Sequence, residues 1–285
     1  MSESGPPLTV ALIARDEEDR LPSALESVAF ADEIVVVVDA ATTDRTADVA
    51  EAAGARVLVR AFDGFGTQKN AAAALASHRW ILSIDADEIV SEALAREIRA
   101  RLASTLSEEN PPAAFRVPIR LEFLGRELRF GRDTVVRPAR LYDRTRARFS
   151  EDPVHEKVLV GGTVEALDET ILHRSYRDLA HYLEKLDRYT SLAAEAKWAA
   201  RKGAMPFLPA RVAWELFDRA ILRLGVLDGT AGFTFAALSA ANTLLKYLKL
   251  RELERAIAEG TRLPPANARA EDTAVLRLRA LLRTR

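Results

Sequence analysis

Residues 80–90, WILSIDADEIV, place three carboxylates, Asp85, Asp87 and Glu88, directly behind an apolar run. In extended chain alternate side chains share a face, so Asp85 and Asp87 project together while Ala86 turns away. Two hard oxygen ligands on one side suit Mg²⁺ or Mn²⁺, an ion that keeps waters and takes further ligands from substrate phosphates. The competing reading is a cap for a helix beginning near Ser91, or a solvated turn. Carboxylates recur at comparable places: Asp16 follows LTVALIA (8–14) and Asp39 follows EIVVVV (33–38).

The segments that must position these groups alternate in type. The runs at 8–14 and 33–38, ARVLVRAF (55–62) and RWILSIDA (79–86) read as strands, short and rich in branched and apolar residues. Between them, RDEEDRLPSALESVA (15–29), AATTDRTADVAEAAGA (40–55) and DGFGTQKNAAAALASH (63–78) read as loops opening helices. This β-α-β-α-β-α-β order predicts an α/β fold with a mainly parallel central sheet covered by helices on both faces. Ligands of such sheets bind beyond the carboxyl ends of the strands. Three strand ends therefore aim carboxylates at one crevice.

Residues 91–106 are an amphipathic helix, and 113–172 hold short strand-like runs that predict a mixed or antiparallel extension of the sheet. From 177 to 202 a helix carries Leu179, Leu183, Leu186, Tyr189 and Leu192 on one stripe, and 210–257 are helical with a break around LDGTAG. A catalytic domain over 1–176 and a helical C-terminal region over 177–285 follow. The net charge of −1 gives no basic field for nucleic acid, and the absence of cysteine excludes disulfides and thiolate chemistry. The N-terminus lacks a signal peptide's basic start, and no run reaches the roughly 18 apolar residues of a membrane span. A cytoplasmic protein is expected. RVAWELFDRAILRLGVL (211–227) has the pattern of a helix lying in a membrane interface, with packing on the catalytic domain or in a homodimer as the other reading.

Taken in order, LTVALIARDEEDRLPSALESV, ADEIVVVVDAATTDRTADVAEAAGARV, GFGTQKNAAAALA and WILSIDADE resemble the family 2 glycosyltransferases of the GT-A fold. EDPVHEKVLVGGTV (151–164) and ILHRSYRDLAHYLEKLDRYTS (171–191) are similar to the branch containing lipopolysaccharide core glucosyltransferases. The resemblance implies an inverting, metal-dependent transfer from a UDP-sugar, UDP-glucose in that branch, to a lipid-linked or lipopolysaccharide-core acceptor, with peripheral contact at the inner membrane. It places Arg15, Asp16 and Glu17 near the nucleotide, Asp39 on the uracil ring and Asp85 beside ribose or donor sugar. Asp87 is implied as the direct ligand of Mn²⁺ or Mg²⁺, with Asp85 and His173 as further metal residues. Gln68, Lys69 and Asn70, at a helix start, would suit a diphosphate, and Arg140 would face the phosphates. Glu156 matches the catalytic base, with Asp152 its rival. The chain departs from the family in having DAATTDRT where Asp-Ser-Gly-Ser is common, and in lacking the branch's Trp-Tyr-Pro segment before ARLYD.

Two other functions compete with this one. A nucleotidyltransferase shares the α/β sheet and Asp-bound Mg²⁺ but calls for a glycine-rich basic loop where this chain has ARDEEDR. A catalytically inactive sugar-nucleotide-binding or membrane scaffold protein need not keep Asp85, Asp87 and Glu156 together.

Overall fold

The computed structural model describes residues 5–152, 156–200, 203 and 205–261. The chain forms two compact units, one from residues up to Glu122 with Asp133–Ser175, the other from Phe123–Arg132 with residues from Tyr176 onward.

In the first unit the expected alternation is present: β1 (Leu8–Ala14), α1 (Leu21–Ser27), β2 (Glu33–Asp39), α2 (Thr46–Ala52), β3 (Arg56–Arg60), α3 (Phe65–Leu75) and β4 (Trp80–Asp85). β1 pairs in parallel with both β2 and β4, and β2 with β3. The strand order therefore runs β3-β2-β1-β4, with the reversal at β1 and β4. A crevice opens at such a reversal, beyond the carboxyl ends of the strands. The register puts Asp85 beside Ile13 at those ends.

Period-two alternation decides which side each carboxylate takes. Leu8, Val10, Leu12, Val36, Val38, Leu82 and Ile84 pack with Leu21, Leu25, Ala50 and, from α4 (Glu92–Thr105), Leu94, Ile98 and Leu102. Ala11, Val35, Val37 and Ile81 pack with Ala72, Ala73 and Ala76 at α3. Asp39 and Asp85 keep the parity of Val35, Val37 and Ile81, so both lie on the α3 side. The chain can bring α3 close because Gly66 is a glycine: a Cβ there would stand 1.9 Å from the Ser150 carbonyl oxygen.

Beyond β5 (Glu88–Val90) and α4 come β6 (Ala114–Arg116), β7 (Ile119–Phe123), β8 (Arg126–Glu127), β9 (Val135–Val136), β10 (Ala139–Asp143), β11 (Ala147–Phe149), β12 (Val158–Val160), β13 (Val164–Ala166) and β14 (Ile171–His173). β10 runs antiparallel to β4 and to β6, and β13 extends the sheet in parallel with β6. This is the mixed extension that the short runs predict. β14 pairs antiparallel with β5, setting His173 opposite Glu88.

The second unit holds α5 (Leu179–Ala199), α6 (Leu208–Phe217), a π-turn over Asp218–Leu222, a 3₁₀ turn over Gly225–Asp228 and α7 (Gly229–Glu259). The stripe read on α5 is not its packed face. Leu179, Leu183, Tyr189 and Leu192 are exposed, whereas Tyr182, Leu186, Thr190 and Ala194 are buried. Thr190 is tolerated inside because its hydroxyl donates to the Leu186 carbonyl at 2.7 Å. Phe123 packs edge-on to Tyr176 and Tyr182 and against Phe235 at 5.4–5.9 Å, which draws Phe123–Arg132 into this unit. Asp228 then fixes that segment by accepting from the Arg129 and Phe130 amides, both at 2.9 Å.

Asp143, fully buried at the end of β10, staples β10 to β4. It accepts from Arg79 Nε at 2.9 Å, from the Thr145 amide at 2.9 Å and from the Thr145 hydroxyl at 2.7 Å. Burial alone would raise its pKa, but the hydrogen bonds from Arg79 and Thr145 outweigh burial and lower it. A folded-state pKa below the unfolded value stabilises the fold above the unfolded value, and that gain fades as pH falls through the folded one. Asp143→Asn should cost roughly 1–3 kcal/mol at neutral pH. In paired thermal melts the gap between variant and wild type should shrink from pH 7 to about pH 3; a gap that holds constant would show that Asp143 does not act through its charge.

Candidate active site

The crevice beyond β1, β2 and β4 is a cleft of about 490 Å³ lined by Arg15, Glu17, Asp39, Phe62, Phe65, Gln68, Lys69, Asp85, Asp87 and Glu156, with apolar floor from Ile13, Ala14, Val37 and Ala86. Five carboxylates and two cations face this space.

Lys69 is its centre. The side chain is 6% exposed, and Nζ lies 3.1 Å from Asp85 Oδ1 and 3.2 Å from Glu156 Oε1. The end of β4 and the segment before β12 are thereby held on one ammonium, which also sits 5.3 Å over the Phe149 ring. Beneath it, Arg140 Nη2 donates to Asp85 Oδ2 at 3.0 Å and to Glu88 Oε1 at 2.8 Å. The Asp85 amide donates to Glu88 Oε2 at 2.9 Å. Burial works to raise Asp85, but Arg140 and Lys69 beside it hold the carboxyl well below the usual carboxylate range. Glu88 is pushed up to about 7, first by burial and then by the Asp85 charge, with Arg140 opposing. One strand end thus carries two carboxylates tuned apart by environment.

Asp87 stands on the other side. Its Oδ2 is 3.3 Å from His173 Nε2 and 3.3 Å from Arg20 Nη1. Arg20 is clamped in turn by both Glu17 oxygens at 2.6 Å. Burial would raise Asp87, yet its contact with His173 lowers it; His173, depressed by burial, is raised on balance by the same contact. The Arg174 amide donates to the Asp87 carbonyl at 2.9 Å, so the loop after β4 is sewn to the end of β14.

Asp39 accepts from Arg15 Nη1 at 3.3 Å and from the Ala41 amide at 3.0 Å. Gln68 is buried and receives Arg60 Nη1 on its carbonyl oxygen at 2.9 Å. Three other residues expected at the site are placed elsewhere. Asp16, at φ +53°, accepts from the Thr43 amide at 2.8 Å and hydroxyl at 3.1 Å, joining the loops after β1 and β2. Asn70 clasps β11, donating to the Phe149 carbonyl at 3.0 Å and accepting from its amide at 2.9 Å. Asp152 is exposed and is not among the cleft's lining residues. Neighbouring Pro153–His155 fall outside the described residues.

Arg20 and the pair Phe62 and Phe65 are additions that the sequence reading missed, and Glu88, noted there as a third carboxylate, was given no role. The two rings stand 5.0 Å apart at 73° on the cleft wall and are about half exposed. Two phenylalanines flanking the Asp63-Gly64 turn were the available signal for the aromatic wall. For Glu88 it was a third carboxylate whose parity opposes that of Asp87.

Among the described residues no group of three or more His, Cys, Asp or Glu side chains could hold a metal ion. Asp85 has both oxygens on cations. Asp87 and His173 offer one carboxylate oxygen and one imidazole nitrogen in contact, a donor pair that fits a divalent ion completing its shell with phosphate oxygens and water.

Residues 9–105 match the family model described as Glycosyl transferase family 2. An uncharacterized glycosyltransferase of Rickettsia bellii is 28% identical over 271 residues, 90% of either chain. The lipopolysaccharide core biosynthesis glycosyltransferase LpsC of Rhizobium meliloti is 28% identical over 263 residues, covering 86% of this chain and 95% of LpsC. The crystal structure of S. aureus TarS 1-349 in complex with UDP-GlcNAc covers 89% of this chain and 92% of that one at 13% identity, with a TM-score of 0.41, an overlap that carries no conclusion here. Strand ends that gather carboxylates at a sheet reversal, together with these matches, define a glycosyltransferase. Within that class the matched segment, which runs from β1 to α4, is similar to family 2.

Proposed function

We propose that the protein is an inverting, divalent-cation-dependent glycosyltransferase that moves a hexose, glucose by the resemblance drawn above, from a UDP-sugar to a lipid-linked or lipopolysaccharide-core glycan. The observation that carries this reading is the Lys69 bridge, which holds Glu156 on the same wall as Asp85. The name of LpsC supports a core glycan as acceptor.

An inverting transfer needs a carboxylate that removes the acceptor hydroxyl's proton as that oxygen attacks the anomeric carbon. Glu156 fills this role, directed by Lys69, while exposed Asp152 does not line the cleft. The anomeric C–O bond breaks with its electron pair leaving on the nucleoside diphosphate. Asp39 receives an N–H of the base, Phe62 and Phe65 offer it apolar surface, and Asp85 orients ribose or donor sugar. A diphosphate entering a cleft with five carboxylates and two cations is repelled unless a positive ion accompanies it. Held by Asp87 and His173, Mn²⁺ or Mg²⁺ would supply that charge and neutralise the leaving diphosphate.

Calorimetry with UDP, GDP and CMP, with and without Mn²⁺, should show Mn²⁺-dependent UDP binding that Asp87→Ala weakens. Glu156→Gln should keep UDP affinity and lower transfer from UDP-glucose by roughly 10²–10⁴-fold. Normal transfer by Glu156→Gln would remove Glu156 as the base, and failure of every nucleotide to bind would remove the glycosyltransferase mechanism at this cleft.

The second unit supplies a membrane contact in this reading. Trp214, Phe217, Ile221 and Leu222 are 45–53% exposed, with Arg211 and Arg223 exposed among them. No single helix among the described residues is long and apolar enough to cross a membrane; only the pair Leu208–Leu222 and Gly225–Glu259, bent by 67°, passes by length and composition. An apolar face with interleaved arginines instead suits the headgroup layer. The protein should sediment with vesicles containing anionic phospholipid, and Trp214→Ser with Phe217→Ser should release it. Equal recovery of both proteins in the supernatant would leave that face to a protein partner.

A further inference from the structure

Behind the wall formed by Lys69, Asp85 and Glu156 lies a second cavity of about 390 Å³. The same three residues line both spaces, so Glu156 is shared between them. Their charge is opposite. Five carboxylates and two cations face the first, while Lys69, Arg116, Arg137, Arg140 and Lys157 face the second against only Asp85 and Glu156.

These five cations are not equivalent. Lys69 and Arg140 are committed to Asp85, Glu88 and Glu156. Arg116 ends β6, Arg137 precedes β10 and Lys157 precedes β12, so three separate segments bring the others to one cavity. None of these three has a side-chain ion pair or hydrogen bond among the described residues, although arginines elsewhere in the unit, such as Arg79, Arg99 and Arg101, are paired. At the back of the cavity buried Arg140 keeps Nε without a hydrogen-bond partner. Like charges gathered in a concave space repel one another and concentrate anions. The three are exposed, and the cavity's two carboxylates, Asp85 and Glu156, are already bridged by Lys69.

We propose that this second cavity is an anion-binding acceptor subsite: the sugar that receives the transferred residue carries a phosphate or carboxylate, gripped by Arg116, Arg137 and Lys157 while its hydroxyl faces Glu156. The inference rests on the glycosyltransferase reading of the first cleft and adds the chemical class of the acceptor. The acidic cleft takes the donor and the basic cavity takes the acceptor. The acidic cleft admits a diphosphate only with its cation, whereas the basic cavity attracts an anionic sugar directly, and Glu156 stands between the two.

The test uses the full chain with mannose 6-phosphate, glucuronate and neutral mannose as probes, titrated calorimetrically with and without saturating UDP and Mn²⁺. UDP fills the donor cleft and keeps the probes out of it. The two anionic sugars, or one of them, should bind and mannose should not. Binding of the phosphate alone assigns a phosphorylated acceptor, and binding of the carboxylate alone assigns an acidic sugar. Each of Arg116→Gln, Arg137→Gln and Lys157→Gln should weaken that binding by about tenfold, as expected for one lost charge-assisted contact. Raising ionic strength should weaken it further. UDP affinity should not change in these variants, because none of the three lines the donor cleft. If mannose binds as well as the charged sugars, if the variants bind them as the wild type does, or if no probe binds, the anion subsite is overturned. Loss of UDP binding in the wild type would instead overturn the donor reading, and the titrations without UDP report on the cavity independently of it.

Discussion

The site depends on how the end of β4 tolerates its own charge. Asp85, Asp87, Glu88 and the incoming Glu156 bring four carboxylates into one neighbourhood, and their mutual repulsion is offset only if cations are built in among them. Two are. Lys69 reaches Asp85 and Glu156 from α3, and Arg140 reaches Asp85 and Glu88 from β10. Much of the local architecture serves those two approaches. Gly66 lets α3 lie against the Ser150 backbone, Asn70 clasps β11 to the same helix, and the Asp143–Arg79 pair staples β10 alongside β4. Removing any of these would shift a cation relative to the carboxylates it pairs with.

The compensation is uneven, and the unevenness separates roles. Asp85 has a cation on each oxygen and is fixed as an anion, whereas Glu88 accepts from Arg140 and from the Asp85 amide at the end of β4 in a buried setting. Glu88 serves the site indirectly, by holding the guanidinium that holds Asp85. Asp87 escapes this network and meets His173 and Arg20 instead. The Asp-x-Asp pattern reads as two equivalent ligands, yet the structure gives its members different neighbours and hence different work.

Much of the scaffold was legible because it follows from period and parity. Buried strands of branched residues, helices between them and a carboxylate after each strand suffice to predict the parallel sheet and the crevice at its ends. The same alternation puts Asp39 and Asp85 on the α3 side with Lys69. What was not legible is whether a polar side chain at a strand end faces the cleft or ties the loops that shape it. Asp16 and Asn70 stand beside residues that line the cleft, but Asp16 binds Thr43 and Asn70 binds Phe149. The loop DAATTDRT has no glycine, and its polar residues are spent on fastening: Asp44 accepts from the Glu18 amide at 3.0 Å and Thr46 from the Glu17 amide at 2.8 Å. On α5 periodicity itself misled. Of its stripe only Leu186 is buried, Leu179, Leu183 and Leu192 are exposed, and a hydroxyl sits in the packed face because a helix can bury Thr190 once its own backbone satisfies the hydroxyl.

The two cavities that meet at Glu156 differ in the sign of their charge. Here the carboxylate is part of a wall with unlike charge on its two sides. Lys69 is what makes such a wall possible. Buried between Asp85 and Glu156, it keeps the two anions together at the boundary while its single charge is consumed by them, so neither cavity is dominated by it. The net sign of each space is then set by residues that Lys69 does not touch: Asp39, Glu17 and Asp87 on one side, Arg116, Arg137 and Lys157 on the other. The charge of each cavity is thereby carried by separate side chains, and either can change without disturbing the Lys69 bridge between Asp85 and Glu156.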